Sequence, residues 1–480
     1  MNNLKAIVLL ILVLLTSCVN SQNKKPNVIL FLVDDMGWTD LGSFGSDLYQ
    51  SPNIDKLASE GVTFTNSYSS CTVCSPTRAS IITGKYPARL HLTDWIEGHK
   101  YPWAKLKVPD WTMYIETKEY TLAEAFRDAG YKTAHFGKWH LGEKEETWPE
   151  NHGFDVNVGG WNKGAPNLRK SEGQNGYFSP YGNPRLKDGY EGEYLTERLA
   201  NEVCNYIGEN NDKPFFINLW FYNVHLPLQA KQVKIEKYKS LIDSTARHQN
   251  PTYAAMVEHT DDAIGKVIAK LKELGLYDNT IILFSSDNGG LIGNSKRLIT
   301  NNSPLKKGKG DIYEGGTRIP TIIRLPKGIE KGKVIEVPII SMDYYPTLID
   351  LAGIRNKKTQ KQIMDGKSLV PLIIDNEKLD RKALYWHYPH YHQEGAVPYS
   401  AVRIGDWKLI ENFETNSFEL YNLKKDIGEK NNLFKKESEK AAELMAALKK
   451  WRKDLSVQYA TPNENYIPTK ERKKHLIKLK

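Results

Sequence analysis

Four short, nearly unbroken apolar stretches mark the first two thirds of the chain, at residues 27–33, 131–136, 215–221 and 280–286. None alternates apolar with polar residues, so none reads as a half-exposed strand. They read as strands covered on both faces, the pattern of a parallel sheet with helices above and below. Amphipathic stretches over 51–61, 120–130, 193–209 and 253–274 supply those helices, and Gly61 and Gly130 stand where the first two would stop. A short strand is expected over 62–67. A short helix is expected over 76–83, with Ser75 as N-cap, Pro76 in the first turn and Gly84 past the end. Residues 148–192 are rich in Gly, Asn, Tyr and Pro without a period and read as a long loop excursion of the kind that carries specificity. The segment 339–353 holds Asp343 and a last helix of the large unit. A charged linker over 375–382 precedes short strands within 383–409 and at 420–423 and a helix over 437–455, a small α+β unit with an antiparallel sheet.

Composition and the termini add a location and remove some function classes. At 480 residues the chain has room for more than one domain, and its net charge is +9. Much of the basic excess sits at 470–480, so the tail from 461 on reads as a solvated basic run. No arginine-rich helix or aromatic–basic motif argues for nucleic acid. Lys5 and the apolar run 6–15 form a leader too short to span a bilayer, a signal peptide over 1–17. Leu15-Thr16-Ser17-Cys18 resembles a bacterial lipobox, with Cys18 lipidated and 18–26 as tether; the alternative is a plain cleaved signal in which Cys18 is incidental. Either way the mature protein is expected to be exported to the periplasm or cell surface, with an outer-membrane anchor if Cys18 carries lipid. It keeps Cys71, Cys74 and Cys204, an odd count with no disulfide framework.

Chemistry-bearing residues gather at the ends of the apolar stretches. Asp34-Asp35 closes the first, where α/β sheets bind ligands, although a strand-end turn explains the same pair. Gly137-Lys138-Trp139-His140 closes the second, and Lys138 and His140 share a face if the chain stays extended. His225 follows the third as a candidate acid or base, or a satisfied loop histidine. Asp287-Asn288 closes the fourth, completing with Asp34 and Asp35 an all-oxygen donor set that suits a hard cation and not zinc. Residues 304–316 are Gly-rich and basic but lack the phosphate-loop spacing. Cys71-x-x-Cys74 admits a redox pair or buried structural thiols; no second pair stands at zinc spacing. Cys74 at a helix amino end with Arg78 one turn on would present a nucleophile to an oxyanion. His91, Asp94, Trp95, His99 and Trp103 form an aromatic loop, and His387, His390 and His392 cluster near the start of the small unit. From these, His91, Asp94, Trp95, His387 and His390 are the candidate substrate contacts.

Cys74-Ser75-Pro76-Thr77-Arg78 matches the Cys-x-Pro-x-Arg signature of the type I, formylglycine-dependent sulfatases. The continuation to Arg89, the Gly-Lys-Trp-His block and the Gly-Lys-Gly of 308–310 follow in that family's order, and the resemblance runs from about residue 27 to 408. It implies an alkaline-phosphatase-like α/β fold, a large mixed, mostly parallel sheet over 27–375 with a small C-terminal α+β domain over 383–460. It implies oxidation of Cys74 to formylglycine (3-oxoalanine) by a maturation enzyme. A hydrated aldehyde carries two hydroxyls on one carbon, so one can attack sulfur and the other can later expel sulfate. The resemblance further implies one Ca²⁺ held by Asp34, Asp35, Asp287, Asn288 and the converted Cys74. Arg78, Lys138 and Lys309 would handle the sulfate, His140 nucleophile turnover and His225 the leaving group; Lys306 and Lys307 are the alternatives to Lys309. The implied reaction is hydrolysis of sulfate esters on oligosaccharides from ulvan, carrageenan or glycosaminoglycan. Two other readings stand beside it: a phosphatase or phosphodiesterase of the same superfamily, and a silent glycan-binding lipoprotein.

Overall fold

The computed structural model describes residues 25–98, 101–294, 297–468 and 470. The leader, Cys18, the tether up to residue 24, His99 and the tail from 471 lie outside them. Eight strands form the central sheet: β1 (Asn27–Val33), β2 (Val62–Phe64), β3 (Lys132–Gly137), β4 (Val156–Val158), β5 (Phe215–Trp220), β6 (Thr280–Ser286), β7 (Thr321–Arg324) and β8 (Lys333–Ile335). Their order is β8-β2-β7-β6-β1-β5-β3-β4. Only β7 runs antiparallel to its neighbours, β2 and β6; the other pairs are parallel. The sheet is therefore mixed and mostly parallel.

The absence of alternation in the apolar stretches has a direct cause. Ile29, Phe31 and Val33 of β1 pack with helices Leu195–Glu209 and Pro251–Glu273, while Val28, Leu30 and Leu32 pack on the other side with Cys74–Thr83, Leu122–Asp128 and Tyr344–Leu351. Burying one such side chain fully contributes roughly 1.5–3 kcal/mol. Local caps fix where the helices begin. Asn250 Oδ1 accepts from the Thr252 and Tyr253 amides ahead of Pro251, and Thr121 with Glu124 forms a capping box.

Strands β4, β7 and β8 and the helix Gln232–Leu241 are not legible as elements in the sequence. The strands are three or four residues long, and β7 ends on Arg324, whose buried guanidinium donates to the Thr280 carbonyl at 3.1 Å. Helix Gln232–Leu241 leaves Val233 and Leu241 exposed and so carries no clean apolar stripe.

The C-terminal part is a four-stranded antiparallel sheet (Leu384–Tyr388, Tyr399–Ile404, Trp407–Asn412, Ser417–Asn422) backed by helix Ser438–Asp454. Its core is continuous with the larger part: Trp386, Leu409, Leu420 and Leu444 cluster with Tyr68, Val73, Ile340 and Met342. The charged linker is pinned where Arg381 donates to Asp343 at 2.7 Å. The run expected to be free tail from 461 instead opens with Thr461–Pro462 paired to Leu106–Lys107.

A buried charge joint ties the small sheet to the loop that carries Lys309. Lys408 Nζ donates to the Ile312 carbonyl and to Glu314 Oε1, both at 2.9 Å, and sits 3.1 Å from Glu429 Oε1. Lys408→Met would leave two buried carboxylates short of their cation. The expected loss is about 3–5 kcal/mol, read by calorimetry as a clear fall in Tm. An unchanged Tm would show that the joint contributes nothing to holding the two parts together.

Candidate active site

Strands β1, β3, β5 and β6 end on the same side of the sheet, and the residues past their ends converge. Consecutive residues of a strand point to opposite faces, so Asp34 and Asp35 could not meet if β1 simply continued. Asp35 instead turns into the left-handed region at φ 62. This lets oxygens of Asp34, Asp35 and Asp287 lie within 4.8 Å of one another, all buried. Asp287 Oδ1 accepts from the Asp35 amide at 3.1 Å, and Asn288 Nδ2 donates to Asp35 Oδ1 at 2.8 Å.

Cations surround the acids. Lys138 Nζ donates to Asp34 Oδ2 and Lys309 Nζ to Asp35 Oδ2, each at 2.8 Å. Arg78 reaches Asp287 Oδ2 through Nε at 2.8 Å and Nη2 at 2.7 Å, and donates through Nη1 to the Lys138 carbonyl at 3.0 Å. Burial pushes all three carboxyls up. For Asp34 it wins, because Asp287 and Asp35 repel its charge while Lys138 only partly offsets the loss of water. For Asp35 burial loses to Lys309, His225 and Lys138, and for Asp287 to Arg78 and Lys138, so both stay below the usual carboxylate range. Asp34 Oδ1 and Asn288 Oδ1 are buried without a hydrogen-bond partner. Orphaned acceptors beside clustered carboxylates fit a hard divalent cation taking oxygen ligands. The Cys74 sulfur is not part of that cluster.

Cys74 is the first residue of a fully buried helix, Cys74–Thr83, that ends at Gly84 in the left-handed region, φ 69. The N-cap is Val73, not the expected Ser75. Ser75 Oγ accepts instead from the Ile96 amide at 3.3 Å. The Ile96 carbonyl in turn faces His140 Nε2. A carbonyl only accepts, so Nε2 carries the proton and Nδ1 presents a lone pair to Cys74 Sγ, 3.3 Å away. Burial, then Lys138 and Arg78, hold the His140 pKa well below its ordinary value, so the ring is neutral. His140 itself sits at φ 59, so Lys138 and His140 do not share an extended face. The turn sends the first to Asp34 and the second to Cys74.

Cys74, His140, His225, Lys309 and Trp95 line one cavity of about 330 Å³. His225 Nε2 is 3.7 Å from Asp35 Oδ2 while Nδ1 faces the Leu226 carbonyl at 2.8 Å. Burial and the Lys309 charge bring its pKa down to about 3. Arg78 and Lys138 lie behind the cavity wall, paired to carboxylates, and position ligands without reaching the space. Lys306 lies over the Tyr313 ring and Lys307 is exposed; Lys309 alone of the three joins the acids.

The other expected substrate contacts are placed elsewhere. His91, Asp94, His387 and His390 are not in the cavity wall. His387 is buried between Ser400 Oγ and the Gln458 carbonyl, both at 2.6 Å, and His390 bonds Thr93 Oγ1 at 2.8 Å against the Trp111 ring. Asp94 accepts from the Tyr388 hydroxyl at 2.7 Å. Of the three clustered histidines it is His392 that lines the cavity, packed on Gly310, where a Cβ would come within 2.2 Å of its ring. The wall also takes Glu97 and, from the long loop, Asn162, Lys163 and Asn167, which no motif marks. Only the Gly and Asn richness of 148–192 hinted at them.

Comparison with known proteins adds an independent finding. The family described as Sulfatase matches residues 26–354, and the one described as N-sulphoglucosamine sulphohydrolase, C-terminal, matches 308–458. A sulfatase of Formosa agariphila is 33% identical over 477 residues, covering 86% of this chain and 85% of that one. An N-acetylgalactosamine-6-sulfatase of Rattus norvegicus is 31% identical over 420 residues, covering 82% and 73%. The crystal structure described as Ps i-CgsB in complex with k-i-k-neocarrahexaose superposes with a TM-score of 0.74 at 29% identity, covering 92% of this chain and 95% of that one.

Proposed function

This chain belongs to the sulfatase family and is a sulfuric ester hydrolase, and from that premise we propose that its substrate is a sulfated carbohydrate and its nucleophile a formylglycine derived from Cys74. The observation that carries the reading is the lone pair of His140 Nδ1 held 3.3 Å from the Cys74 sulfur, beside the buried acids. In the thiol form that sulfur stands in for the hydroxyls of the converted residue. Relatives whose names record sulfated sugars as substrates support the carbohydrate class: N-acetylgalactosamine-6-sulfatases, and a structure of BT4656 with D-glucosamine-2-N,6-O-disulfate. Oligosaccharides from ulvan, carrageenan or glycosaminoglycan are the proposed sources.

Asp34, Asp35, Asp287 and Asn288 would hold one Ca²⁺, which when bound supplies positive charge to the sulfate oxygens. His140 Nδ1 is the base that takes a proton from the group at Cys74. Lys309 Nζ, held between Asp35 and the cavity, donates to a sulfate oxygen or the bridging oxygen as negative charge moves onto it. His225 Nε2 faces the same space; with the Nδ1 proton held by the Leu226 carbonyl, it delivers a proton to the departing sugar oxygen only from the doubly protonated ring, a form that the negative charge of a bound sulfate ester favours. Export with a lipid anchor at Cys18 completes the proposal and rests on the leader sequence alone.

The test is turnover of nitrophenyl sulfate against nitrophenyl phosphate. The protein must first show, in its Cys74 peptide, the loss of about 18 Da that separates thiol from aldehyde. Sulfate hydrolysis should dominate. Faster phosphate hydrolysis would hand the site to the phosphatase reading, and hydrolysis of neither by converted protein would favour a silent glycan-binding protein.

A further inference from the structure

Beyond the sulfate end, the cavity wall has an unusual balance of charge. Asn162, Asn167 and Gln393 contribute neutral carboxamides and Trp95 an aromatic ring. His392 stands in the same wall, its Nδ1 accepting from the Glu394 amide at 3.2 Å. Among the described residues, the charged groups left in this part of the wall are Glu97 and Lys163, with Nζ 3.7 Å from Oε1. Glu97 is the more open of the two, 65% exposed against 35% for Lys163. The two charges answer each other only weakly across this partly exposed contact, and of the pair it is the carboxylate that stands more open to an arriving substrate.

Asn162 adds the sign of the missing partner. Its Oδ1 is buried without a hydrogen-bond donor. Once substrate binding opens that oxygen, a sugar hydroxyl or amide N–H can satisfy it, whereas an ionised sulfate or carboxylate has no proton to give. The volume of about 330 Å³ lies at the small end of ligand cavities, about 300–1,000 Å³, room for one ring and its sulfate. Gly164 keeps the space this shallow: a Cβ there would stand 2.3 Å from His140 Cε1, so the loop lies flat on the imidazole.

Resting on the carbohydrate reading above, we infer that the cavity selects a single terminal sugar that bears one sulfate ester and no second anionic group, and that Glu97 enforces the choice by repulsion. A second sulfate or a uronate carboxylate near the rim meets the more open Glu97 before it meets Lys163, which Glu97 partly answers.

The experiment measures kcat/KM on a panel of hexoses and N-acetylhexosamines sulfated once at O3, O4 or O6, each matched with an N-sulfated or uronate-bearing counterpart. Nitrophenyl sulfate serves as the reference. The monosulfated, otherwise neutral sugars should lead by at least about tenfold. Glu97→Gln should cut that ratio by about threefold or more and Glu97→Lys should cut it further, because each removes like charge. Equal or reversed preference overturns the inference, as does turnover of nitrophenyl sulfate with none of the panel. A ratio unmoved by both substitutions removes Glu97 from the role. Failure on nitrophenyl sulfate itself, by converted protein, defeats the underlying sulfatase chemistry and this inference with it, a different outcome from loss of discrimination alone.

Discussion

Cys74→Ser is expected to end multiple turnover, lowering the steady-state rate by about 10⁴-fold or more. Cys74 opens a helix whose residues are all buried, so the conservative change keeps the fold and leaves an oxygen near the position of the sulfur. A serine hydroxyl, its proton drawn to His140 Nδ1, can attack the sulfate ester once, forming a serine sulfate and releasing nitrophenolate. It then lacks the second hydroxyl on the same carbon that would break the new ester bond. A burst of nitrophenol stoichiometric with enzyme, followed by near silence, is the expected trace, and Cys74→Ala should show no burst. Sustained turnover by the serine protein would refute the assigned nucleophile.

Asp287→Asn should lose the cation and the activity together, with activity falling by about 10³-fold or more. The substitution keeps the shape and removes the charge that Arg78 meets through two nitrogens, both side chains being fully buried. It also leaves that guanidinium short of a partner, so stability should fall by about 3–5 kcal/mol. Elemental analysis of folded protein reads the metal directly; wild-type content would strike Asp287 from the ligand set. Asn288→Ala separates the two effects. It leaves the Arg78–Asp287 pair intact and removes an orphaned acceptor together with one hydrogen bond to Asp35, so cation affinity should fall by about 10–100-fold while Tm falls less than for Asp287→Asn. Unchanged affinity would show that Asn288 serves the turn and not the ion.

The strands that carry the chemistry were legible because they are buried on both faces, which writes a continuous apolar run into the chain. The expected run 280–286 coincides with β6, and 27–33 with β1. Helix Pro251–Glu273 was legible for the opposite reason, an amphipathic stripe read over 253–274, which left out only the first two residues at Pro251. Strands β4, β7 and β8 left no such trace, being short and set in polar or basic surroundings. Among the histidines near residue 390, spacing could not separate the one that lines the cavity from two that are buried among aromatics. That difference is made by what packs on each ring, Gly310 in one case and the Trp111 and Tyr459 rings in the others.

The order of residues along the chain thus determined which chemistry is present: a thiol ahead of a short helix, acids at two strand ends, a lysine and a histidine at a third. It did not determine how they meet. Two left-handed turns, at Asp35 and His140, aim side chains that an extended backbone would send elsewhere. Arg78 points to be a substrate cation in sequence and becomes a buried partner of Asp287 only when β6 lies beside β1. The rim from Glu97 to Lys163 joins segments that are dozens of residues apart and share no motif. Local patterns record burial and propensity, because those act on neighbours in the chain; charge pairing and cavity shape depend on distance in space, which only the completed fold sets.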